Sequence, residues 1–368
     1  MRYTAQRGRL DEDARGTLTS WAAAHIAPRG HEDFQISDFS APNAGYSGKT
    51  VFFTASWTSP NGQRAHRDLV LRMQAPDHQL FMTPDAIRQA EVIRRLGRHS
   101  GVPMPNVVAQ EPDPEVLGAP FYLMDRVDGR IPSDVPSWHK AGWTADLAAD
   151  ERELLYDNAL RTLVALHRIS DPGDVGALAA PGPGSAIARY LDSLRRWYST
   201  SRDTLLVDPE LLAAAFAELV ENMPATTAEG IVWGDARVGN MSFAEDLSVA
   251  ALFDWEGATT GPPDIDLGWW LMFERFLCES IGLHRPDGVP DDRDIVRRYE
   301  QLGGRPTGDI SYYTLLAAFV LTLITNQLAV LLIRDGLEPA IAHTYPTAAA
   351  ELIRRYLDER IEQRSTTR

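Results

Sequence analysis

An apolar run, Ile231-Val232, leads into Trp233-Gly234-Asp235-Ala236-Arg237-Val238-Gly239-Asn240, and a second, at 249–253, ends in Asp254-Trp255-Glu256. Polar side chains at the ends of apolar strands are easily aimed into a cleft. Phosphoryl transfer needs a carboxylate beside the attacking hydroxyl and hard oxygen ligands for magnesium. Asp235 has the chemistry for the first role, and Asn240 and Asp254 for the second. The five-residue step from Asp235 to Asn240 lets one loop deliver both. Little depends on proton affinity alone, because such a reaction is mostly positioning and charge neutralisation. Taken singly, each of the three is an ordinary turn residue, and only their joint spacing points to chemistry. Glu256 suits a metal or substrate contact and a plain loop equally well.

The elements that must position these residues are read from periodicity. Residues 11–27 pattern as an amphipathic helix, with Leu18, Trp21 and Ile26 on one side and Asp11 as cap. Strand-like runs follow at 34–39, 51–57 and 68–73. Val51, Phe53, Ala55 and Trp57 alternate as a half-buried strand does, and Ser59-Pro60-Asn61-Gly62 reads as a hairpin turn. A helix is expected over 84–98, with Pro84 in its first turn, and a strand over 120–127. Beyond Gly129 helical patterns dominate, at 148–169, 185–202, 209–222, 295–302, 310–334 and 347–363, interrupted by a β-rich stretch at 230–254. A sheet-rich first third and a helical remainder make a bilobal α+β organisation, not the βαβ alternation of a doubly wound sheet. The expected division is 1–126 and 127–368.

Composition narrows the function classes. The 368 residues can bury a substantial core, and a formal charge of −15 argues against a nucleic-acid binder while suiting a cationic ligand. Cys278 is the only cysteine, so no intrachain disulfide forms, and a lone cysteine is first a small core residue. Residues 1–16 are charged and lack the apolar stretch of a signal peptide. Residues 315–333 approach the length and apolarity of a membrane span, but Thr322, Thr325, Asn326 and Gln327 at the centre favour a buried helix. A cytoplasmic protein without membrane or nucleic-acid partners is expected. No heptad or symmetric patch indicates an oligomeric state. Lys49 and Lys140 are the only two lysines, so a role that normally needs a buried lysine falls to one of them or to an arginine.

The pattern Asp235-x-x-x-x-Asn240 followed by Asp254 resembles the catalytic loop and metal-binding aspartate of protein kinases. It is closer still to the aminoglycoside phosphotransferase-like family, in the branch related to kinase-like domains found with acyl-CoA dehydrogenases. Gly101-Val102-Pro103-Met104-Pro105, Gly118-Ala119-Pro120-Phe121-Tyr122-Leu123-Met124-Asp125 and Asp264-x-Asp266-Leu267 carry the same resemblance, in order along the chain. It implies a protein-kinase-like fold with a small β-rich N-lobe and a larger helical C-lobe, ATP and Mg²⁺ as cofactors, and a small-molecule hydroxyl as acceptor. It further implies Asp235 as base or hydroxyl-orienting residue, Asn240 and Asp254 as magnesium ligands, and Asp266 as a brace behind the loop. Arg237 stands where protein kinases place a lysine that meets the transferring phosphate. Met124, Asp125 and Val127 fall in the hinge against adenine, contacting it largely through backbone.

Two positions depart from the family pattern. Trp233 replaces the usual histidine before Gly-Asp, and Arg72 replaces the phosphate-binding lysine of the small lobe. Arginine binds phosphate too, with a different geometry. Gln89 occupies the register expected for its carboxylate partner, and Glu91 close by is the candidate. Both departures would also suit a nucleotide-binding pseudokinase that regulates a partner, whereas the retained Asp235, Asn240 and Asp254 favour an enzyme. Gly45, Ser47 and Gly48 suit a hairpin over the ATP phosphates. Gly48-Lys49-Thr50 imitates the end of a P-loop, but Asn43 replaces its first glycine, and the run at 51–57 reads as a strand where a P-loop opens a helix. His167 reads as a satisfied structural histidine, Trp269 and Trp270 as core, and the acidic cluster at 287–294 as a solvated loop or a contact for a cation. The family name suggests an aminoglycoside or amino-sugar acceptor, with a hydroxyacyl-CoA or another hydroxylated metabolite as alternative. Residues 185–202 and those after Asp266 are expected to shape the acceptor site.

Overall fold

A computed structural model describes residues 12–40, 48–75, 79–81, 85–225 and 229–366, which fall into two compact units. The first comprises Met1–Arg98 with Met104–Asp128. It holds α1 (Glu12–Ile26), β1 (Glu32–Ile36), β2 (Lys49–Thr58), β3 (Arg64–Met73), α2 (Ala86–Leu96), β4 (Val107–Glu111) and β5 (Phe121–Asp125). The five strands form one antiparallel sheet in the order β1-β2-β3-β5-β4. Its core follows from the period of two: Val51, Phe53, Ala55 and Trp57 of β2 point inward with Leu69, Leu71, Phe121 and Leu123, and Leu18 and Trp21 of α1 cover them. The β2–β3 turn closes through the Gly62 amide on the Ser59 carbonyl, with Gly62 at φ +79°, a conformation in which glycine avoids Cβ strain. Asp85 caps α2 by accepting from the Arg88 amide. The expected cap Asp11 and the expected first-turn Pro84 lie outside the described residues.

The second unit comprises His99–Pro103 with Gly129–Arg368. In chain order it contains α3 (Ala149–His167), α4 (Pro172–Leu178), α5 (Ala186–Ser201), α6 (Pro209–Glu221), β6 (Gly230–Val232), β7 (Met241–Phe243), β8 (Val249–Leu252) and β9 (Thr259–Gly261). It continues with α7 (Asp264–Leu277), α8 (Asp292–Gln301), α9 (Ile310–Arg334), α10 (Pro339–Ala342) and α11 (Thr344–Thr366). The short strands pair as β6–β9 and β7–β8. A small antiparallel sheet lobe and a helical lobe are the kinase-like α+β architecture expected from the sequence.

Helix α9 is long and apolar enough to cross a membrane, yet most of that window is buried within its own unit. Three of its polar residues are satisfied there: Thr322 and Thr325 donate to the carbonyls of Ala318 and Leu321, and Asn326 bridges the Leu206 amide and the Thr204 carbonyl. In the acidic cluster at 287–294, Asp294 pairs with Arg297 on the surface. Asp291 caps α8, and Asp292 bridges Arg275 and Arg285. Five elements have no counterpart in the sequence expectations: β4, α4, β9, α7 and α10.

Candidate active site

The catalytic-loop candidates begin where β6 ends. Asp266, fully buried in the first turn of α7, accepts the Trp233 amide on Oδ2 at 2.7 Å and the Gly234 amide on Oδ1 at 2.8 Å. His167 Nε2 also lies 2.9 Å from Oδ2, while its Nδ1 faces the Tyr299 hydroxyl at 2.8 Å. Burial, with Asp264 and Asp266 nearby, pushes the Tyr299 hydroxyl well above its usual range, so it remains a donor. His167 is thus the satisfied structural histidine its sequence context suggested. Gly234 sits at φ +88°, and a Cβ there would come within 2.4 Å of the Gly257 carbonyl oxygen, so the turn admits only glycine.

Asp235 follows directly. Its Oδ1 accepts from Arg237 Nε at 2.9 Å and from the Trp269 indole Nε1 at 2.7 Å. Among the described residues no hydrogen bond reaches Oδ2. Arg237 is buried, lies 4.7 Å over the Phe273 ring and donates from Nη1 to Asp134 Oδ1 at 2.5 Å. Burial opposes its charge, but Asp235 and Asp134 outweigh that and hold the guanidinium firmly cationic. Asp134 is raised above the usual carboxylate range by desolvation and by Asp235 and Asp254, against the pull of Arg237. A Cβ on Gly239 would fall 2.4 Å from Arg237 Nη1 and 2.6 Å from Asp134 Oδ1, so glycine is what lets that pair close. The resemblance implied a phosphate contact for Arg237; in this structure two of its donors are committed to carboxylates.

Asn240 and Asp254 are tied to the same loop. Asn240 Nδ2 donates to the Asp235 carbonyl at 3.0 Å, which turns its amide oxygen into the group free to ligate. The Asn240 carbonyl accepts the Phe253 amide at 2.9 Å, and the Trp233 indole donates to the Phe253 carbonyl at 2.8 Å. Trp233 also stacks on Trp255, with ring centroids 5.5 Å apart. Both neighbours of Asp254 are therefore fastened, and Asp254 itself is held at φ +54°, a left-handed conformation costly for a residue with a Cβ. One carboxylate and one amide oxygen are hard donors of the kind magnesium takes when phosphates and water complete its octahedron. Asn240 and Asp254 could hold such an ion.

The remaining candidates lie in the first unit. Gly45 and Ser47 are outside the described residues, and Gly48 immediately precedes β2. Lys49 and Thr50 open a strand, so the P-loop imitation has no helix to complete it. Arg72 pairs across the ladder with Thr50 and donates to its Oγ1 at 2.8 Å. Glu91, on α2, forms an ion pair with Arg95 at 2.7 Å. The Asp125 side chain is held by Arg67 and Asn106; burial would raise its carboxyl, but these partners bring it below the usual range. The Asp125 and Arg126 amides are taken by the carbonyls of Asn106 and Asp68.

The structure thus brings Asp235, Arg237, Asn240 and Asp254 together in one loop system. It adds three residues that sequence reasoning did not single out for the site: Asp134, Trp269 and Phe273. Only once α7 is known does the spacing of 266, 269 and 273 place three side chains on one helix face, and Asp134 carries no such signal.

Residues 38–305 match the model of the phosphotransferase enzyme family (APH). The chain is 29% identical over 328 residues to the probable acyl-CoA dehydrogenase IBR3 of Arabidopsis thaliana, covering 81% of this chain and 36% of that protein. To human acyl-CoA dehydrogenase family member 11 it is 25% identical over 290 residues, covering 77% and 34%. It therefore spans about a third of the length of these curated relatives. In fold it is similar to a protein of Ralstonia eutropha JMP134 described provisionally as an aminoglycoside phosphotransferase, with TM-score 0.68, 23% identity, and coverage of 95% and 99% of the two chains. It is also similar to macrolide 2'-phosphotransferase type I, with TM-score 0.59, 15% identity, and coverage of 94% and 98%. The loop that carries Asp235 and Asn240 lies within the matched region, and the chain belongs to the phosphotransferase enzyme family.

Proposed function

We propose that this chain transfers the γ-phosphoryl group of ATP, with Mg²⁺, to a hydroxyl of a small molecule. The observation that carries the reading is the state of Asp235: two donors fix its Oδ1, and Oδ2 is left for the acceptor. Asp235 would orient the hydroxyl and take its proton as the bond to phosphorus forms. Asn240 and Asp254 would hold the metal, which would supply charge neutralisation during the transfer. Arg72, Gly45, Ser47, Gly48 and the backbone of Met124, Asp125 and Val127 would hold the nucleotide, with Glu91 of α2 in a supporting place. A thermostable aminoglycoside phosphotransferase APH(4)-Ia of similar fold, at TM-score 0.54, was crystallised as a ternary complex with ADP and hygromycin B, which supports a nucleotide and a small-molecule acceptor.

For the acceptor, an amino sugar agrees with the acidic balance of the chain. A hydroxyacyl-CoA is favoured by a different observation, the likeness to proteins named for acyl-CoA dehydrogenation. Incubation with Mg-ATP and a panel of aminoglycosides and hydroxyacyl-CoA thioesters, followed by ADP release, tests both. Asp235→Ala should lower turnover by about 10²–10⁴-fold. Nucleotide binding with no turnover on any acceptor would replace the enzyme with a regulatory nucleotide binder.

A further inference from the structure

Helix α7 shows three residues to the catalytic loop from one face, at i, i+3 and i+7. Asp266 takes the amides of Trp233 and Gly234, Trp269 donates to Asp235, and Phe273 lies beneath Arg237. The adjacent Trp270 makes the contrast. It packs 6.4 Å from the Tyr156 ring, and among the described residues its buried indole nitrogen has no partner. One of two neighbouring tryptophans therefore serves the core, and the other spends its only polar atom on the carboxylate of the site.

We propose that Trp269 is a positioning residue for phosphoryl transfer: its indole N–H, together with Arg237 Nε, fixes Oδ1 of Asp235 so that Oδ2 is the atom presented to the acceptor hydroxyl. This rests on the reading of Asp235 as the acceptor-facing carboxylate. Rotating the carboxylate by half a turn about its terminal bond would present the same pair of oxygens, but any smaller rotation breaks both donor contacts at once. An indole fixes the group without adding a second cation beside Arg237. Trp269 is nearly fully buried, so water does not replace the lost donor freely.

The test uses the full-length chain and Mg-ATP, with water as phosphoryl acceptor, comparing wild type, Asp235→Ala, W269F and W269H. W269F keeps an aromatic ring and removes the donor; W269H restores a ring N–H. Expected are a kcat for W269F lower by about tenfold to a hundredfold, a KM for Mg-ATP within about twofold of wild type, and partial recovery of kcat in W269H. A residue that only packs would give the opposite order, with Phe tolerated and His impaired. W269F equal to or faster than W269H overturns the inference and leaves the reading of Asp235 intact. ADP release by Asp235→Ala at the wild-type rate overturns that reading itself.

Discussion

Arg237 is the residue on which the charges of the site converge. It is a buried cation between Asp235 and Asp134, and an arginine alone can fork to two carboxylates while lying flat on an aromatic ring. Replacing it by methionine leaves two like charges facing each other. The expected loss is on the order of 2–3 kcal/mol in urea unfolding near neutral pH, at the low end for a buried pair because Asp134 is half exposed. The sign with pH follows from Asp134, which desolvation raises above the usual carboxylate range. A native state that binds its proton more tightly than the unfolded chain gains stability as pH falls through that raised value. The deficit of Arg237→Met should therefore shrink on acidification, read as converging unfolding midpoints. A deficit independent of pH would count against this account. Asp235, Asn240 and Asp254 were legible in sequence because their spacing is linear. Asp134 was not, because it comes from a hundred-odd residues upstream and only folding brings it to Arg237.

At the scale of elements, α7 is the piece that sets the site, and it is the helix that periodicity did not reveal. Its residues Ile265, Leu267, Trp269, Trp270, Leu271 and Met272 are buried on every side, so no polar face interrupts the pattern. Strand β2 was legible for the opposite reason, since its half-buried residues alternate with buried ones. Within α7, Gly268 allows the helix to lie against α9: a Cβ there would come 2.5 Å from the Tyr313 backbone. Backbone cannot swing aside as a side chain can. Gly268→Ala should cost about 1–3 kcal/mol by forcing the helices apart. It should also lower turnover, because Asp266, Trp269 and Phe273 move with the helix. Thermal unfolding and ADP release measured on the same preparation test the coupling; a destabilised variant with full turnover would break the link.

For the whole molecule, the division into a sheet unit and a helical unit was legible from where strand patterns give way to helical ones. The return of His99–Pro103 to the second unit was not, because so short an apolar segment has no period to read. The Leu252 amide on the Pro103 carbonyl holds that segment in place. A nucleotide that binds only the folded chain must stabilise it by mass action. Mg-ATP at a hundred times its Kd should add about 2.7 kcal/mol, and EDTA or Asp254→Asn should remove most of the gain in melting temperature. A melting temperature indifferent to Mg-ATP would contradict the proposed nucleotide site. The stack of Trp233 on Trp255 has a consequence of an optical kind. Two indoles in van der Waals reach couple their electronic transitions, and they bracket the residue proposed to hold the metal. The near-ultraviolet circular dichroism of this chain should therefore carry a signal from its own reaction centre, with no dye and no knowledge of the acceptor required.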